Sequence, residues 1–585
     1  MELNSAEANT LKKRIEDWLT SPNQELEATF GFDGKVDVTT FLNVAKRLRA
    51  RGYRSIPQED RMTVTTPEHV RFSLQGLGTI QEYCRDDIMA GKNFIVMIKD
   101  RTLPEANVDL LDYDVRVKVR RELGLDKDDA KVRDLFTNWK QQKKAFRVIR
   151  RWTFEGEGLV FDLSIVRSTK RDANRGYRWQ RLFKEQDVMA STPEYEIEVE
   201  LMRLDDDTVE TAMKRLVKGV GEVLRGIQKH TFLLRKSVKD KVLRGYKDLV
   251  ASDRFRGVAP VTLEMRNFVK ERDEGTPNIR DGYNVTDKAD GLRVMGYCDS
   301  KGELFMIDMT FNVYKTSLTN QACRSSLVDC EWITQTKDNR AVQQLLLFDI
   351  YFDTDKAKVS ELPFYNKDAS VNTRYNRMKR WITSWNDKTI VAAGITASTK
   401  LQVVMKNFFF AEPGDSGIFL AASKALDVKS IYNTDGLIFT PNDKPLPNKP
   451  AFLSQFKWKP SHDNTIDFLV KFETYTDSRD ERVTVGVKPD TGETLTYKTL
   501  RLLVGSNTDS SFDNPRETVL EGIKPQPKTE KGNTYRPVLF NPGEFTDTMA
   551  SVCYLEMETD PDTGESYVLT GKSKEPIQNK TIVEM

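Results

Sequence analysis

The chain has 585 residues, of which 30% are charged, 10% aromatic and 38% hydrophobic, and its formal net charge is +2. That length exceeds what one hydrophobic core supports, so three or four domains are expected, and the apolar content fits a folded chain. The near-zero charge argues against uniform coating of nucleic acid, while five cysteines without C-x-x-C spacing and only three histidines exclude a zinc module and a histidine-driven hydrolase.

In chain order, residues up to about 203 read as short strands at Glu25–Phe30, Val70–Leu74, Phe94–Ile98, Val115–Arg121, Phe146–Phe154, Leu159–Val166 and Tyr195–Leu201, with few long helices. Several alternate charge with apolar side chains. Glu25 and Glu27 share one face of their strand, and Glu196, Glu198 and Glu200 share one face of theirs. For any one such strand a solvated sheet face is the simpler reading. Two all-glutamate faces are harder to explain that way, because glutamate is depleted in strands and rows of like charge are destabilising. Arg116, Lys118 and Arg120 alternate with Val115, Val117 and Val119 in the opposite pattern. A barrel with charged faces inward would hold a divalent metal on the glutamate wall and phosphate oxygens on the basic wall, making a tunnel for a polyphosphate.

After Asp205-Asp206-Asp207, the residues Val209, Met213, Leu216, Val217, Val220 and Leu224 recur at helical spacing. The helix reads as a connector between domains, with Lys214, Arg215 and Lys218 on a solvated face. Strands and helices mix from about 256 to Pro460. From Asn464 on the chain is strand-rich again, with punctuation at Lys524-Pro525-Gln526-Pro527-Lys528 and a hairpin signal at Asp560-Pro561-Asp562-Thr563-Gly564. Met1-Glu2-Leu3-Asn4-Ser5 has no basic n-region, and no apolar run is long enough to span a bilayer, so a cytoplasmic protein without a membrane partner is expected.

The mixed segment carries Lys288-Ala289-Asp290-Gly291-Leu292-Arg293, a K-x-D-G-x-R arrangement. A protonated lysine is a poor nucleophile, but crowding by other cations lowers its pKa, and glycine permits close backbone approach. Lys457 and Lys459 alternate along an extended stretch and suit an α-phosphate, so a lysine that attacks a nucleotide is the reading.

Downstream follow, in order, Leu327-Val328-Asp329-Cys330-Glu331, Leu347-Phe348-Asp349-Ile350, Thr434-Asp435-Gly436-Leu437-Ile438-Phe439 and Phe456-Lys457-Trp458-Lys459. This series resembles the covalent nucleotidyltransferases, the superfamily of ligases and mRNA capping guanylyltransferases. Thr286, where DNA ligases typically place a glutamate, brings it closer to the capping enzymes. The resemblance implies that Lys288 attacks the α-phosphate of GTP to form lysyl-GMP within a nucleotide site that includes Asp290 and Gly291. It further implies that Arg293 touches the ribose, Glu331 the ribose or metal, and Lys457 and Lys459 the α-phosphate. Phe348 would stack on guanine and Asp435 would help place the metal. Read without the resemblance, Phe348 is equally a core aromatic and Asp349 a helix or turn cap.

In the N-terminal region, Glu25 and Glu27 with Glu196, Glu198 and Glu200 look like the two metal-binding strands of the triphosphate tunnel metalloenzymes, which include RNA triphosphatases. Arg71, Arg116, Lys118, Glu122, Arg151, Asp162 and Ser164 fall where that family places phosphate-binding and supporting residues. Across its length the chain is similar to the multifunctional capping enzymes of large cytoplasmic DNA viruses. The implied fold is α+β multidomain: a β-barrel triphosphate tunnel over 1–204, a helical connector over 205–255, a nucleotidyltransferase α+β domain over 256–462 and an OB-fold-like β domain over 463–585. Implied ligands are Mg²⁺ or Mn²⁺, GTP and 5′-triphosphate RNA, and the implied location is the cytoplasm, viral factory or virion. The family's last basic motif is not visible after Asn464. The chain therefore reads as the front of a longer polypeptide, with a methyltransferase domain or partner subunit beyond it and weakened GMP transfer. An ATP-dependent polynucleotide ligase and a decayed RNA-binding scaffold are the rival readings.

Overall fold

The structure is a computed structural model, and it describes all residues except 22–23, 33–35, 100–105, 172–175, 186–187, 190, 271–274, 392–399, 415, 462–464, 477–479, 489–491, 508–534, 543–546, 562 and 572–573. The turn expected at 524–528 lies outside the described residues. The fold is α+β and rich in sheet, and it divides into two compact units, residues 1–229 with 465–585, and residues 230–464.

An eleven-stranded sheet dominates the first unit, and all seven strands expected from the sequence belong to it. Alternation sets its faces. Leu26 and Ala28 are fully buried and Phe30 nearly so, while the glutamates of the same strand point the other way. Strand Val115–Arg120, next to last at one end of the sheet, runs through Arg121 directly into Glu122–Leu125 at the other end. The sheet thus curls round on itself.

Two helices absent from the sequence reading, Ser5–Thr20 and Val38–Ala50, pack with helix Val209–Ile227 outside the sheet. The first begins in a capping box between Asn4 and Glu7 and buries Leu11, Ile15 and Trp18. Thr208, rather than an aspartate, caps the third. A Cβ on its Gly226 would lie 2.9 Å from the Val44 Cα, so the missing side chain allows the two helices their close approach. The helix also buries Glu222 against Arg47, Arg51 and Arg225. Lys214 and Lys218 are exposed as expected, but Arg215 is not merely solvated. It donates to the Gly158 and Met202 carbonyls and pairs with Asp207, tying the helix to the strand turn below it. Helix Val209–Ile227 belongs to the first unit, and the next helix, Lys236–Val250, to the second.

Residues 465–585 form a seven-stranded sheet centred on Thr494–Asn507. The expected hairpin is present, with Thr559 opposite Ser566. Within the first unit, Arg150 bridges Asp60 and Glu565, Lys229 meets Glu575 at 2.7 Å, and Arg49 donates to the Pro561 carbonyl.

The second unit contains a five-stranded and an eight-stranded sheet. Tyr283–Ala289 lies in the former and Leu292–Cys298 in the latter, so Asp290 and Gly291 form the passage between them. Asp349 is not a cap. It lies within strand Ala341–Asp353 and binds the wholly buried Arg374, Nε to Oδ1 at 2.8 Å and Nη2 to Oδ2 at 3.3 Å. Truncating one member of such a pair strands the other charge in the interior. Arg374→Met is expected to cost about 3–5 kcal/mol, and Arg374→Met with Asp349→Leu to recover most of it. Denaturation of the full chain followed by tryptophan fluorescence, with Trp381 and Trp385 in the adjoining core, checks this. A single-variant midpoint like that of a surface substitution would contradict it.

Candidate active sites

The charged face of the curled sheet encloses a cavity of about 990 Å³. Strands Glu25–Phe30 and Glu194–Leu201 are direct antiparallel neighbours, with Glu27 opposite Glu200 and Thr29 opposite Glu198. Glu25, Glu27, Glu196, Glu198 and Glu200 all line the cavity, as do Arg71, Arg151 and Asp162. Burial, then Glu27 and Glu196, push the Glu198 carboxyl up to about 7. Burial, then Glu25 and Asp162, do the same to Glu200, again to about 7.

The basic residues divide the work. Arg151 donates from Nε to Ser164 Oγ at 2.9 Å, binds Asp162 through Nη1 and stands 3.7 Å from Glu198. Thr153 donates to the same Asp162 at 2.6 Å, so Asp162 and the buried Ser164 aim the guanidinium. Lys118 lies 3.6 Å from Glu27, and burial, partly offset by Glu27, pushes its pKa down. Arg116 does not line the cavity. Its guanidinium grips Asp109 at 2.6 and 2.8 Å over the Phe32 ring. The Glu122 side chain lies outside the described residues. Arg120, of the expected basic row, lines the cavity, as do Arg61, Arg121 and Arg147, which sequence reasoning did not select. Arg147 shares the period of two with Arg151 and was legible on that ground; it binds both oxygens of Glu196 at 2.8 Å. Arg61 sits on a strand, Arg61–Thr65, that was not expected.

Among the described residues no three His, Cys, Asp or Glu side chains converge as a ready-made metal cage. The donor chemistry nevertheless fits a divalent cation. Glu27 Oε1 is buried and accepts no hydrogen bond, with Lys118 and Arg120 at 3.6 and 3.5 Å, and burial and neighbouring acids disfavour the ionised form of Glu198 and Glu200, a cost that a cation would relieve.

In the second unit Lys288 lies where the pairing between its strand and Thr434–Pro441 shifts register. Its Nζ donates to both oxygens of Asp435 at 2.8 Å, and Lys459 Nζ reaches Asp435 Oδ2 at 3.0 Å. Burial alone would raise Asp435, but the hydrogen bonds from Lys288 and Lys459 outweigh it and hold the carboxyl below its usual value. The amine's immediate neighbour is therefore an acid. Among the described residues Lys457 makes no ion pair or hydrogen bond through its side chain; its backbone lies opposite Ile438.

Gly436 sits at φ +142°, and a Cβ there would lie 1.9 Å from the Trp458 carbonyl oxygen, which brings Asp435 beside the lysine strand. At Gly291 a Cβ would meet the Trp332 oxygen at 2.7 Å and the Glu331 Cγ at 2.9 Å. Its bareness admits the neighbouring strand and with it Glu331, which stands opposite Arg293. Asp290 donates its backbone N–H to the Asn433 carbonyl. Arg293 is clamped by Asp329 at 3.0 and 2.6 Å and donates to the Val258 carbonyl, with its guanidinium 5.5 Å from the Phe348 ring centroid. Phe348 is only half-buried, between core residues Leu347 and Ile350. Lys406 was missed. It is buried, donates to the Asp287 carbonyl and lies 3.6 Å from that residue's carboxylate, in a sequence without any motif to mark it.

Glu331 is pushed up to about 7 by burial, against the pull of Lys406, Arg293 and Lys288. A carboxyl whose folded value lies above its unfolded one binds more protons folded than unfolded between the two. Its contribution to stability is therefore lost as pH rises from about 4.5 to about 7. Glu331→Gln should gain stability relative to the unchanged protein between about pH 5 and about pH 8, as read by paired denaturant titrations. A gap that stays constant would contradict the assignment.

Residues 214–461 match the family model for the mRNA capping enzyme catalytic domain. Over 364 residues the chain is 24% identical to the probable mRNA-capping enzyme of Acanthamoeba polyphaga mimivirus, covering 55% of this chain and 29% of that one. It is 23% identical over 294 residues to the mRNA-capping enzyme of African swine fever virus, covering 50% and 28%. The solved mimivirus capping enzyme triphosphatase aligns at a TM-score of 0.28 and 14% identity, covering 38% of this chain and 98% of that one. The matches span less than a third of the length of these two viral relatives. Residues 214–461 thus resemble the catalytic domain of mRNA capping enzymes, and the chain is similar to the capping enzymes of mimivirus and African swine fever virus over about half its length.

Proposed function

We propose that this chain is a bifunctional mRNA 5′-capping enzyme: the cavity of the first unit removes the γ-phosphate of 5′-triphosphate RNA, and the second unit transfers GMP from GTP to the diphosphate end. The observation that carries the reading is the lysine set of the second unit, in which Lys288 and Lys459 share Asp435 and Lys457 has no ion pair among the described residues. In this reading residues 1–204, 256–462 and 463–585 are tunnel, nucleotidyltransferase and OB-fold-like domains, with 205–255 connecting them. A methyltransferase domain or partner subunit and a cytoplasmic, viral-factory or virion setting belong to the same proposal. Among the described residues no helix is long and apolar enough to cross a membrane.

In the second unit Lys457 and Lys459 draw the α-phosphate of GTP toward Lys288. The Lys288 ammonium leaves Asp435 and loses a proton, and its nitrogen bonds to the α-phosphorus while the bond to pyrophosphate breaks. The terminal oxygen of the RNA diphosphate then attacks the same phosphorus and frees the amine. Phe348, half-buried beneath Arg293, offers a ring face to guanine, and Glu331 sits within reach of the ribose side or of a metal. Asp435, once released by the lysines, is the carboxylate available to a metal there.

In the first unit Arg71 and Arg151, with Lys118 beside Glu27, hold phosphate oxygens, and Asp162 and Ser164 keep Arg151 aimed. Mg²⁺ or Mn²⁺ held by Glu25, Glu27, Glu196, Glu198 and Glu200 would supply neutralisation of the γ-phosphate and Lewis-acid polarisation. Glu196 would need to release Arg147 to join it.

Incubation with α-labelled GTP and divalent metal is expected to leave label covalently on the unchanged protein and none on Lys288→Ala. An adduct with ATP but not GTP would instead indicate a ligase. Release of γ-phosphate from triphosphate RNA is expected to fall at least a hundredfold in Glu27→Gln and to persist in Lys288→Ala, while Glu27→Gln keeps the GMP adduct. Loss of both activities from either change would mean a single shared site and end the two-site reading. Chelation of divalent metal is expected to stop phosphate release by the unchanged protein, and activity insensitive to chelator would remove the glutamate wall from the mechanism.

A further inference from the structure

The lining of the first unit's cavity is rich in charged side chains and hydroxyls with a few aliphatic ones, and among the described residues it has one phenol, Tyr177. Its ring stands 5.5 Å from that of Trp179 at an interplanar angle of 74°, and the Arg171 guanidinium lies 5.0 Å from its centroid. Neither aromatic is buried, and Arg178 between them is exposed. The described residues around them are nonetheless tied by backbone hydrogen bonds. Arg171 and Tyr177 form an antiparallel bridge, Arg178 N donates to the Lys170 carbonyl at 3.0 Å, and Gln180 exchanges backbone hydrogen bonds with Lys144 at 2.6 and 3.1 Å. Tyr177 is also an electrostatic neighbour of Arg147, the residue that holds Glu196 on the acidic wall. One ring therefore reaches the phosphate cavity, and the next, Trp179, lies outside its lining.

We propose that Arg171, Tyr177 and Trp179 form a stacking platform at the cavity mouth for the first nucleobases of a single-stranded RNA whose 5′-triphosphate occupies the cavity. The proposal rests on the triphosphatase reading and adds the surface that holds the RNA beyond its triphosphate. A triphosphate bound among the arginines leaves its ribose and base to emerge where the lining changes from ionic to aromatic. Half-exposed rings interleaved with guanidiniums are the surface that unpaired bases use, and they accept any base because every base has a π-face. The platform therefore discriminates an RNA end from a free nucleoside triphosphate by the bases that follow the first, not by sequence.

The test compares γ-phosphate release from a 5′-triphosphate oligoribonucleotide and from free ATP, together with binding of the same oligonucleotide by fluorescence anisotropy. Tyr177→Ala and Trp179→Ala are expected to lower the ratio of kcat/KM for RNA to that for ATP roughly tenfold each, mostly through KM, with a matching loss of RNA affinity. Tyr177→Phe and Trp179→Phe, which keep a ring, should restore the ratio and show that the loss is not misfolding. An unchanged ratio, or an equal loss on both substrates, overturns the platform. If the unchanged protein hydrolyses neither substrate, the triphosphatase reading falls by itself. RNA affinity then decides the platform alone: a loss restored by the ring-preserving variants supports it, and no loss overturns it.

Discussion

The first unit is built around an unfavourable pairing, two glutamate-bearing strands lying side by side with Glu27 opposite Glu200. Like charges directly opposite in a sheet destabilise it, so the strands beyond have to answer for the charge. On one side Val115–Arg120 sets Arg120 against Glu25 and Lys118 against Glu27. On the other, Asp162 extends the acidic band by one strand before Arg151 and Arg147 balance it. The curled sheet therefore carries a band of acid bordered by base on both flanks. Closure takes these charges partly out of water, where each interaction is stronger than on a solvated surface. Neutralisation remains incomplete, as the raised carboxyls of Glu198 and Glu200 and the Glu27 oxygen without a hydrogen bond record. Under the proposed function, a site with leftover negative charge beside guanidiniums suits a polyphosphate brought in with a cation, and neither partner alone would match it.

The second unit meets the same problem pair by pair. Asp329 takes Arg293, Asp349 takes Arg374, Asp287 takes Lys406, and Asp435 takes two lysines. Buried pairs of this kind contribute little net stability, but each fixes two elements against one another. Arg374 joins its helix to strand Ala341–Asp353, and Arg293 joins the strand after the lysine motif to Ser326–Gln335. Two glycines complete the arrangement by omission, since only bare backbone fits at Gly291 and Gly436. The geometry around Lys288 is thus set by close backbone approach and by charge, on strands whose other faces are apolar core.

Much of this was legible where a period of two coincided with charge. All seven strands read from alternation exist, and the structure places each glutamate of the two acidic rows in one cavity. What the sequence withheld followed from burial by distant partners. Helix Ser5–Thr20 offers only Leu11, Ile15 and Trp18 as a stripe, too sparse a signal until the sheet supplies the surface that buries it. Asp349 resembled a cap because its partner, Arg374, lies on another element 25 residues away. Arg116 continued the basic alternation perfectly yet serves Asp109, since register decides which of three equivalent cations meets the cavity. Lys406 carried no local mark at all. Spacing identifies a face, and only tertiary pairing identifies which members of that face are left over for a ligand.

That distinction bears most on Lys288. Its partner Asp435 is held below the usual carboxylate range and is therefore a weak proton acceptor. A bidentate hold by this carboxylate fixes the amine in place, and under the proposed function it restrains the nucleophile until a nucleotide arrives. Entry of a nucleotide changes the balance. Under the proposed function its α-phosphate competes with Asp435 for Lys459 and recruits Lys457, which has no ion pair to give up among the described residues. Each cation transferred to phosphate removes one reason for Asp435 to stay ionised against Lys288, and a cation bound to the nucleotide offers the carboxylate a replacement partner. In this scheme the nucleotide itself unlocks the amine, so reactivity appears only when the electrophile is already in place.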